Sequence, residues 1–111
     1  MNAVALDPLR YVSGVLGSFA CADSGQVLAA DMPAHFTLAE LESTAARVTN
    51  LLHTADEALP EARGLKLSFA EHQLWVHRFE LGLLCVLTAA EFDRQTLALT
   101  SRFVMRSLLV P

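Results

Sequence analysis

A chain of 111 residues is long enough for one domain with a sizeable core, because a domain of this size buries about two thirds of the surface that its unfolded chain exposes. A net charge of −4 and eight scattered Lys and Arg residues exclude a general nucleic-acid binder, which needs a basic stripe to neutralise phosphates. Hydrophobic residues make up 53% of the chain and charged residues 18%, so we expect an oligomer or an obligate partner to cover apolar surface.

Membrane insertion and secretion are not expected. The longest nearly unbroken apolar run, residues 81–90, has half of the roughly 20 residues that a spanning helix needs. No basic region precedes an apolar stretch at the N-terminus, so no signal peptide is predicted and a cytoplasmic location is expected. Cys21 and Cys85 do not make a disulfide framework or a Cys-x-x-Cys motif, and both are predicted to be buried thiols.

The first predicted element is a short helix. Asp7 is a suitable N-cap and Pro8 suits the first helical position. The helix is therefore expected over residues 8–12, and Gly14 ends it.

A β-hairpin is predicted next. Residues 15–22 and 26–30 are its strands, and Phe19 is expected to fill a core. Asp23 suits the start of a type I turn, and Gly25 suits the left-handed position that closes it.

A capping box then predicts the start of a long helix. The Thr37 hydroxyl can accept a hydrogen bond from the Glu40 amide, while the Glu40 carboxylate can reach back to the Thr37 amide. Pro60 is expected to end the helix. Its apolar stripe follows steps of three and four and consists of Leu38, Leu41, Ala45, Val48, Leu52, Ala55 and Leu59.

The outer face of this helix is a candidate dimer interface. The residues on the side roughly opposite the stripe are Ala39, Ser43, Ala46, Asn50, His53 and Glu57. The first four are small or uncharged and would let a second backbone come close, with Ala46 near a two-fold axis. The alternative is an exposed, alanine-rich face of a good helix former.

From Gly64 the hydrophobic period changes to two, which predicts a strand over residues 65–70. Leu65, Leu67 and Phe69 share one face of this strand. The strand lacks proline and carries only Lys66 as a gatekeeping charge, so its edge can pair with the same strand of a second copy.

The last predicted elements are two strands and a helix. Residues 73–80 form the first strand, and residues 83–88 are apolar on both faces, which predicts a central strand covered on both sides. Residues 93–109 are expected to form the helix. Its buried face consists of Leu97, Ser101, Val104 and Leu108.

The same helix carries a candidate partner-binding surface. Leu99 and Phe103 lie one turn apart and away from the buried face, and Arg102 and Arg106 lie one turn apart near the helix end. The alternative for Leu99 and Phe103 is that a broad face of the helix, including both residues, covers the sheet. The alternative for the two arginines is a favourable interaction with the helix dipole.

This order of elements, with the segments GVLGSFACADSGQVLAADMP and LKLSFAEHQLWVHRFELGLLCVL, resembles the Roadblock/dynein light chain domain over nearly the whole chain. The pattern of that family's first hairpin is matched by Gly14, Val15, Gly17, Ser18, Asp23, Gly25 and Leu28. The resemblance implies one α+β domain over residues 1–111, an α/β/α sandwich in the order α-β-β-α-β-β-β-α. Its five-stranded antiparallel sheet would carry the long helix on one face and the terminal helices on the other.

The resemblance also implies a function. Members of this family generally form homodimers by joining sheet edges and packing the long helices together. They act as non-enzymatic regulators or scaffolds whose partners are small Ras-like GTPases or motor and signalling complexes. A structural adaptor of a complex without a GTPase is therefore an alternative to a GTPase regulator.

A small enzyme is the remaining alternative. If residues 80–82 form a loop, His77 faces Cys85 across two strands, and a thiol beside an imidazole could act as a nucleophile. The competing interpretation is that both side chains pack under a helix, where an apolar setting raises the pKa of a thiol. We predict no catalytic residues and no cofactor.

No metal or phosphate site is predicted either. His72 and His77 are an odd number of positions apart and would point to opposite faces of one strand, while His35 and His53 belong to other elements. Residues 14–17 lack the Lys and Ser/Thr of a phosphate-binding loop.

Overall fold

The computed structural model describes residues 3–34, 36–58, 64–68 and 71–109. After a 3₁₀ turn at Ala3–Leu6, the elements within these ranges are α1 (Asp7–Arg10), β1 (Val15–Cys21), β2 (Val27–Asp31), α2 (Leu38–Ala58), β3 (Gly64–Ser68), β4 (His72–Phe79), β5 (Gly82–Ala89) and α3 (Arg94–Leu108). The element order predicted from the sequence is confirmed.

The strands of the described residues form one antiparallel sheet of five, in the order β2-β1-β5-β4-β3. β5 lies in the centre, as its apolar residues on both faces predict. β2 and β3 are the edges of the sheet within the part of the chain that the structure describes.

Helices cover both faces of the sheet. Because successive strand residues point to opposite faces, Phe19 and Cys85 pack against α2, whereas Ala20 and Leu84 pack against α1 and α3. The architecture is therefore the predicted α/β/α sandwich of the α+β class. None of the helices in the described ranges is long and apolar enough to cross a membrane.

The predicted start of α1 is wrong. Asp7 is the first helical residue rather than the N-cap, and Leu6 takes the cap position without a side-chain hydrogen bond. The chain already turns at Ala3–Leu6, so the backbone is helical before Asp7. The predicted end is also wrong, since α1 ends at Arg10 and not at Val12; its buried Leu9 anchors it on the core.

The β1–β2 hairpin forms as predicted. The Gly25 amide donates a hydrogen bond to the Ala22 carbonyl at 2.9 Å, and the φ of Gly25 is +91°. This value lies in the left-handed region, which glycine adopts without a steric penalty.

α2 begins at the predicted cap but buries only part of its stripe. The Thr37 hydroxyl accepts a hydrogen bond from the Glu40 amide at 3.1 Å. Leu38, the first residue of α2, is 63% exposed, contrary to the prediction. The buried members of the stripe are Leu41, Ala45, Val48 and Leu52. Leu59 and Pro60 lie outside the described residues.

α3 has the predicted buried face, but it begins at Arg94 and ends at Leu108, one residue inside the predicted bounds at each end. Asp93 is the N-cap, and its carboxylate accepts hydrogen bonds from the Thr96 hydroxyl at 2.6 Å and the Thr96 amide at 3.1 Å. These bonds stabilise the ionised carboxylate and lower the pKa of Asp93. Leu97, Ser101, Val104 and Leu108 are buried.

Candidate functional site

The thiol–imidazole pair is not formed. Phe79 pairs with Gly82, so the loop between β4 and β5 has two residues and not the three that the sequence analysis assumed. His77 is therefore opposite Leu84, and Cys85 is opposite Val76. His77 faces the α1 and α3 layer while Cys85 faces α2, so the sheet separates the two side chains.

The surroundings of both groups oppose catalysis. A hydrogen bond with Cys21 and burial raise the pKa of the Cys85 thiol well above its ordinary value, and both cysteines are fully buried. Burial lowers the pKa of His77, because a charged imidazole is poorly solvated there. Neither group is an activated nucleophile or a base for the other.

This burial predicts slow thiol chemistry. In the native protein at neutral pH, Cys21 and Cys85 are expected to react with a thiol reagent at least about tenfold more slowly than after unfolding, since the thiols must first be exposed. Mass spectrometry of samples quenched over time measures both rates, with the guanidinium-unfolded chain as the control. Complete labelling of Cys85 in the native protein at the earliest time point would contradict this prediction and would favour the enzyme hypothesis.

The histidines form no cluster. His72 is exposed on β4, and His77 lies five residues later on the opposite face of that strand. Within the described ranges, no group of three or more His, Cys, Asp or Glu side chains could hold a metal ion. His35 lies outside the described residues.

The outer face of α2 is exposed over its whole length. Its members Ala39, Ser43, Ala46, Asn50, His53 and Glu57 are all exposed. The turn of the β1–β2 hairpin borders this face, because a Cβ atom built on Gly25 would lie 3.4 Å from the Ala46 Cα. The hairpin turn therefore lies beside this face at Ala46.

The opposite flank of α2 exposes a residue that the sequence analysis missed. Leu51 is 45% exposed and lies two helical turns after Thr44. Thr44 lines an open, mainly apolar groove of about 430 Å³ together with His72 and Leu74 of β4. Leu16 and Phe19 of β1 and Leu87 of β5 also line this groove, so it spans several strands. The signal in the sequence is a leucine outside the main apolar stripe.

β3 presents a regular edge. Leu65 and Leu67 are partly buried against the cluster under α2 and pair with Val76 and Leu74. Lys66 points to the other face, where its ammonium lies 5.4 Å from the centre of the Trp75 ring. Phe69, the third member of the predicted dimer edge, lies outside the described residues.

The outer face of α3 carries the four residues predicted to bind a partner. Leu99 is 67% exposed and Phe103 is 59% exposed, so neither covers the sheet. Arg102 and Arg106 are also exposed. At 100° per residue, these side chains occupy the side of α3 opposite its buried face, and the structure brings all four together on one stripe.

The exposure of Phe103 predicts a small effect on stability. Phe103→Ser is expected to lower the melting temperature by less than about 4 °C, because surface substitutions usually change the free energy of unfolding by at most about 0.5 kcal/mol. Val104→Ser is the matched control at the neighbouring buried position, where a loss of about 10 °C or more is expected. Differential scanning calorimetry measures both, and equal losses would contradict the exposed position of Phe103.

No protein-family model and no curated protein matches the sequence. Similar solved structures are found. The Roadblock/LC7 domain from Streptomyces avermitilis has a TM-score of 0.80 at 15% identity, covering 96% of this chain and 93% of that one. The gliding protein MglB from Thermus thermophilus has a TM-score of 0.74 at 17% identity, and the match covers 94% of this chain and 84% of that one. A structure of MglB with a tetrameric arrangement has a TM-score of 0.75 at 16% identity, and the match covers 95% of this chain and 85% of that one.

These similarities establish the fold, which is that of a Roadblock/LC7 domain. The resemblance stated from the hairpin and the strand pattern is thereby confirmed at the level of the fold.

Proposed function

We propose that this protein is a non-enzymatic homodimeric regulator or scaffold that binds a small Ras-like GTPase or a related signalling protein. The observation that carries the proposal is the match to a Roadblock/LC7 domain over 96% of the chain, since the family resemblance implies this function. A similar fold occurs in a tetrameric arrangement of MglB, which supports self-association. The separation of His77 from Cys85 by the sheet favours a regulator over an enzyme.

Two surfaces are suited to joining the copies. The small residues Ala39, Ser43, Ala46 and Asn50 would allow the α2 helices of two copies to pack closely. The edge of β3, with Leu65 and Leu67 and the adjoining Phe69, would allow two sheets to pair through main-chain hydrogen bonds. These surfaces lie on different elements, α2 and β3, so variants can separate their contributions.

The partner would bind the exposed face of α3, through Leu99, Arg102, Phe103 and Arg106. Aromatic residues and arginine are enriched in protein interfaces, and a few such residues often supply most of the binding free energy. These side chains are already exposed to solvent, so a partner could bind them without unfolding the domain.

Two measurements test the proposal. Light scattering at micromolar concentration is expected to give about twice the chain mass of 12.1 kDa, and a monomer mass would contradict the homodimer. The purified protein is then mixed with each Ras-like GTPase of its source organism, loaded with GDP or with a non-hydrolysable GTP analogue. Binding to one of them with a preference for one nucleotide state is expected. An intact dimer that binds none in either state would overturn the GTPase assignment in favour of an adaptor.

A further inference from the structure

The charge of α3 differs in sign from that of the whole protein. Residues 94–108 contain three arginines and no Asp or Glu, whereas the chain has a net charge of −4. Arg102 and Arg106 flank the exposed Phe103. Among the described residues, no carboxylate lies within ion-pair distance of either arginine.

A groove of about 450 Å³ continues this surface between the C-terminal half of α3 and the β4–β5 hairpin. Phe79 and Met105 supply apolar side chains to the groove, and Arg102 and Arg106 line it. The only carboxylate among its described lining residues is Glu80.

The third arginine of the groove is already neutralised. One terminal nitrogen of Arg78 donates to both carboxylate oxygens of Asp56, at 2.6 and 2.7 Å. Glu80 offsets one further positive charge, so the groove and the α3 stripe keep an excess of positive charge beside apolar side chains. This combination is complementary to a ligand that is both acidic and apolar.

We propose that the outer face of α3 and the adjoining groove bind an acidic amphipathic helix of a partner protein. This rests on the proposed function as a regulator or scaffold and states the chemistry of its partner. The stripe from Leu99 to Leu109 is about 15 Å long, which matches about three turns of a second helix. Apolar side chains of the partner would contact Leu99 and Phe103, and its carboxylates would pair with the guanidinium groups of Arg102 and Arg106.

A protein helix fits this surface better than a membrane does. Binding to anionic lipids through electrostatics typically uses a cluster of about four to eight Lys and Arg residues, and this stripe has two. Arginine, in contrast, binds a single carboxylate in a bidentate geometry that discriminates between partners.

The test uses the full chain and a fluorescent synthetic peptide of about 16 residues, with leucines at steps of three and four and glutamates flanking them. Fluorescence anisotropy is expected to show saturable binding that weakens as salt rises. The double variant Arg102→Glu with Arg106→Glu should lose at least about tenfold in affinity and should bind the same peptide with lysines in place of the glutamates. Arg94→Glu, an exposed change on another side of α3, is the matched control and should stay within about twofold.

Three outcomes would overturn the proposal. The first is no saturable peptide binding, or binding that the double variant does not alter. The second is stronger binding to vesicles of phosphatidylserine and phosphatidylcholine than to the peptide, which would assign the surface to a membrane. The third is a light-scattering mass of the parent protein above that of a dimer, which the double variant returns to the dimer mass. That result would assign the α3 surface to contact with another copy of the chain.

The two proposals fail separately. Circular dichroism and light scattering of the double variant establish that its fold and dimer mass are unchanged before binding is measured. If the parent protein is a monomer or binds no GTPase but still binds the peptide, the proposed function is overturned and the assignment of the α3 surface is not. Loss of peptide binding alone would overturn only the assignment of the α3 surface.

Discussion

Replacing Ala46 by arginine is expected to shift the proposed homodimer towards monomer at micromolar concentration, weakening association by at least about tenfold, or about 1.4 kcal/mol. Ala46 is exposed on the outer face of α2, and near a two-fold axis each copy would add a long side chain and a charge at the same point of the contact. Sedimentation velocity over a concentration series measures the dissociation constant. Helicity should change little, since arginine is a good helix former.

Ala98→Arg is the matched control, because Ala98 is also an exposed alanine in a helix but lies on α3. It is expected to leave the dimer unchanged. An Ala46→Arg variant as tightly dimeric as the parent would show that the outer face of α2 is not the interface. In that case Leu51→Arg, at an exposed leucine outside that face, identifies whether another part of α2 takes part beside the β3 edge.

Gly14→Ala is expected to destabilise the domain by more than about 3 kcal/mol, which lowers the melting temperature by about 12 °C or more. The φ of Gly14 is +89°, and a Cβ atom there would collide with the Glu91 carbonyl oxygen and the Phe92 Cβ. The Gly14 carbonyl also accepts a hydrogen bond from the Ala89 amide at 2.8 Å. Gly14 thus holds the start of β1 against the segment that leads into α3.

Gly25→Ala separates the free-energy cost of a left-handed backbone from the cost of a steric collision. Gly25 has nearly the same φ, +91°, but the atom nearest to the added methyl group would be 3.4 Å away, an ordinary contact. Only the cost of a left-handed conformation applies, about 1–2 kcal/mol. Thermal unfolding of both variants measures the difference. Equal losses would contradict the close approach of the backbone at Gly14, and a tolerated Gly14→Ala would contradict its geometry altogether.

Local signals in the sequence predicted most of the fold. The central position of β5 follows from apolar residues on both of its faces, and the buried face of α3 follows from their spacing. The Thr37 cap and the left-handed Gly25 are also local, because each depends on hydrogen bonds or dihedral angles within a few residues. The hydrophobic period and the turn chemistry therefore contained this information without knowledge of the packing.

The features that local signals left open depend on packing between distant elements. The partner of Cys85 changes from His77 to Val76 when the β4–β5 loop is one residue shorter, and only the strand pairing decides its length. Asp7 could not be recognised as helical without the turn that precedes it.

Local sequence patterns were sufficient to predict the element order, the buried helix faces and the stripe of Leu99, Arg102, Phe103 and Arg106, because helical spacing places residues on a face. What lies beside each face depends on how distant elements pack together. Packing left Leu38 and Leu51 exposed, and it brought the β4–β5 hairpin next to the arginines of α3. The physical reason is that burial and charge complementarity depend on neighbours that are distant in the chain and become adjacent only on folding.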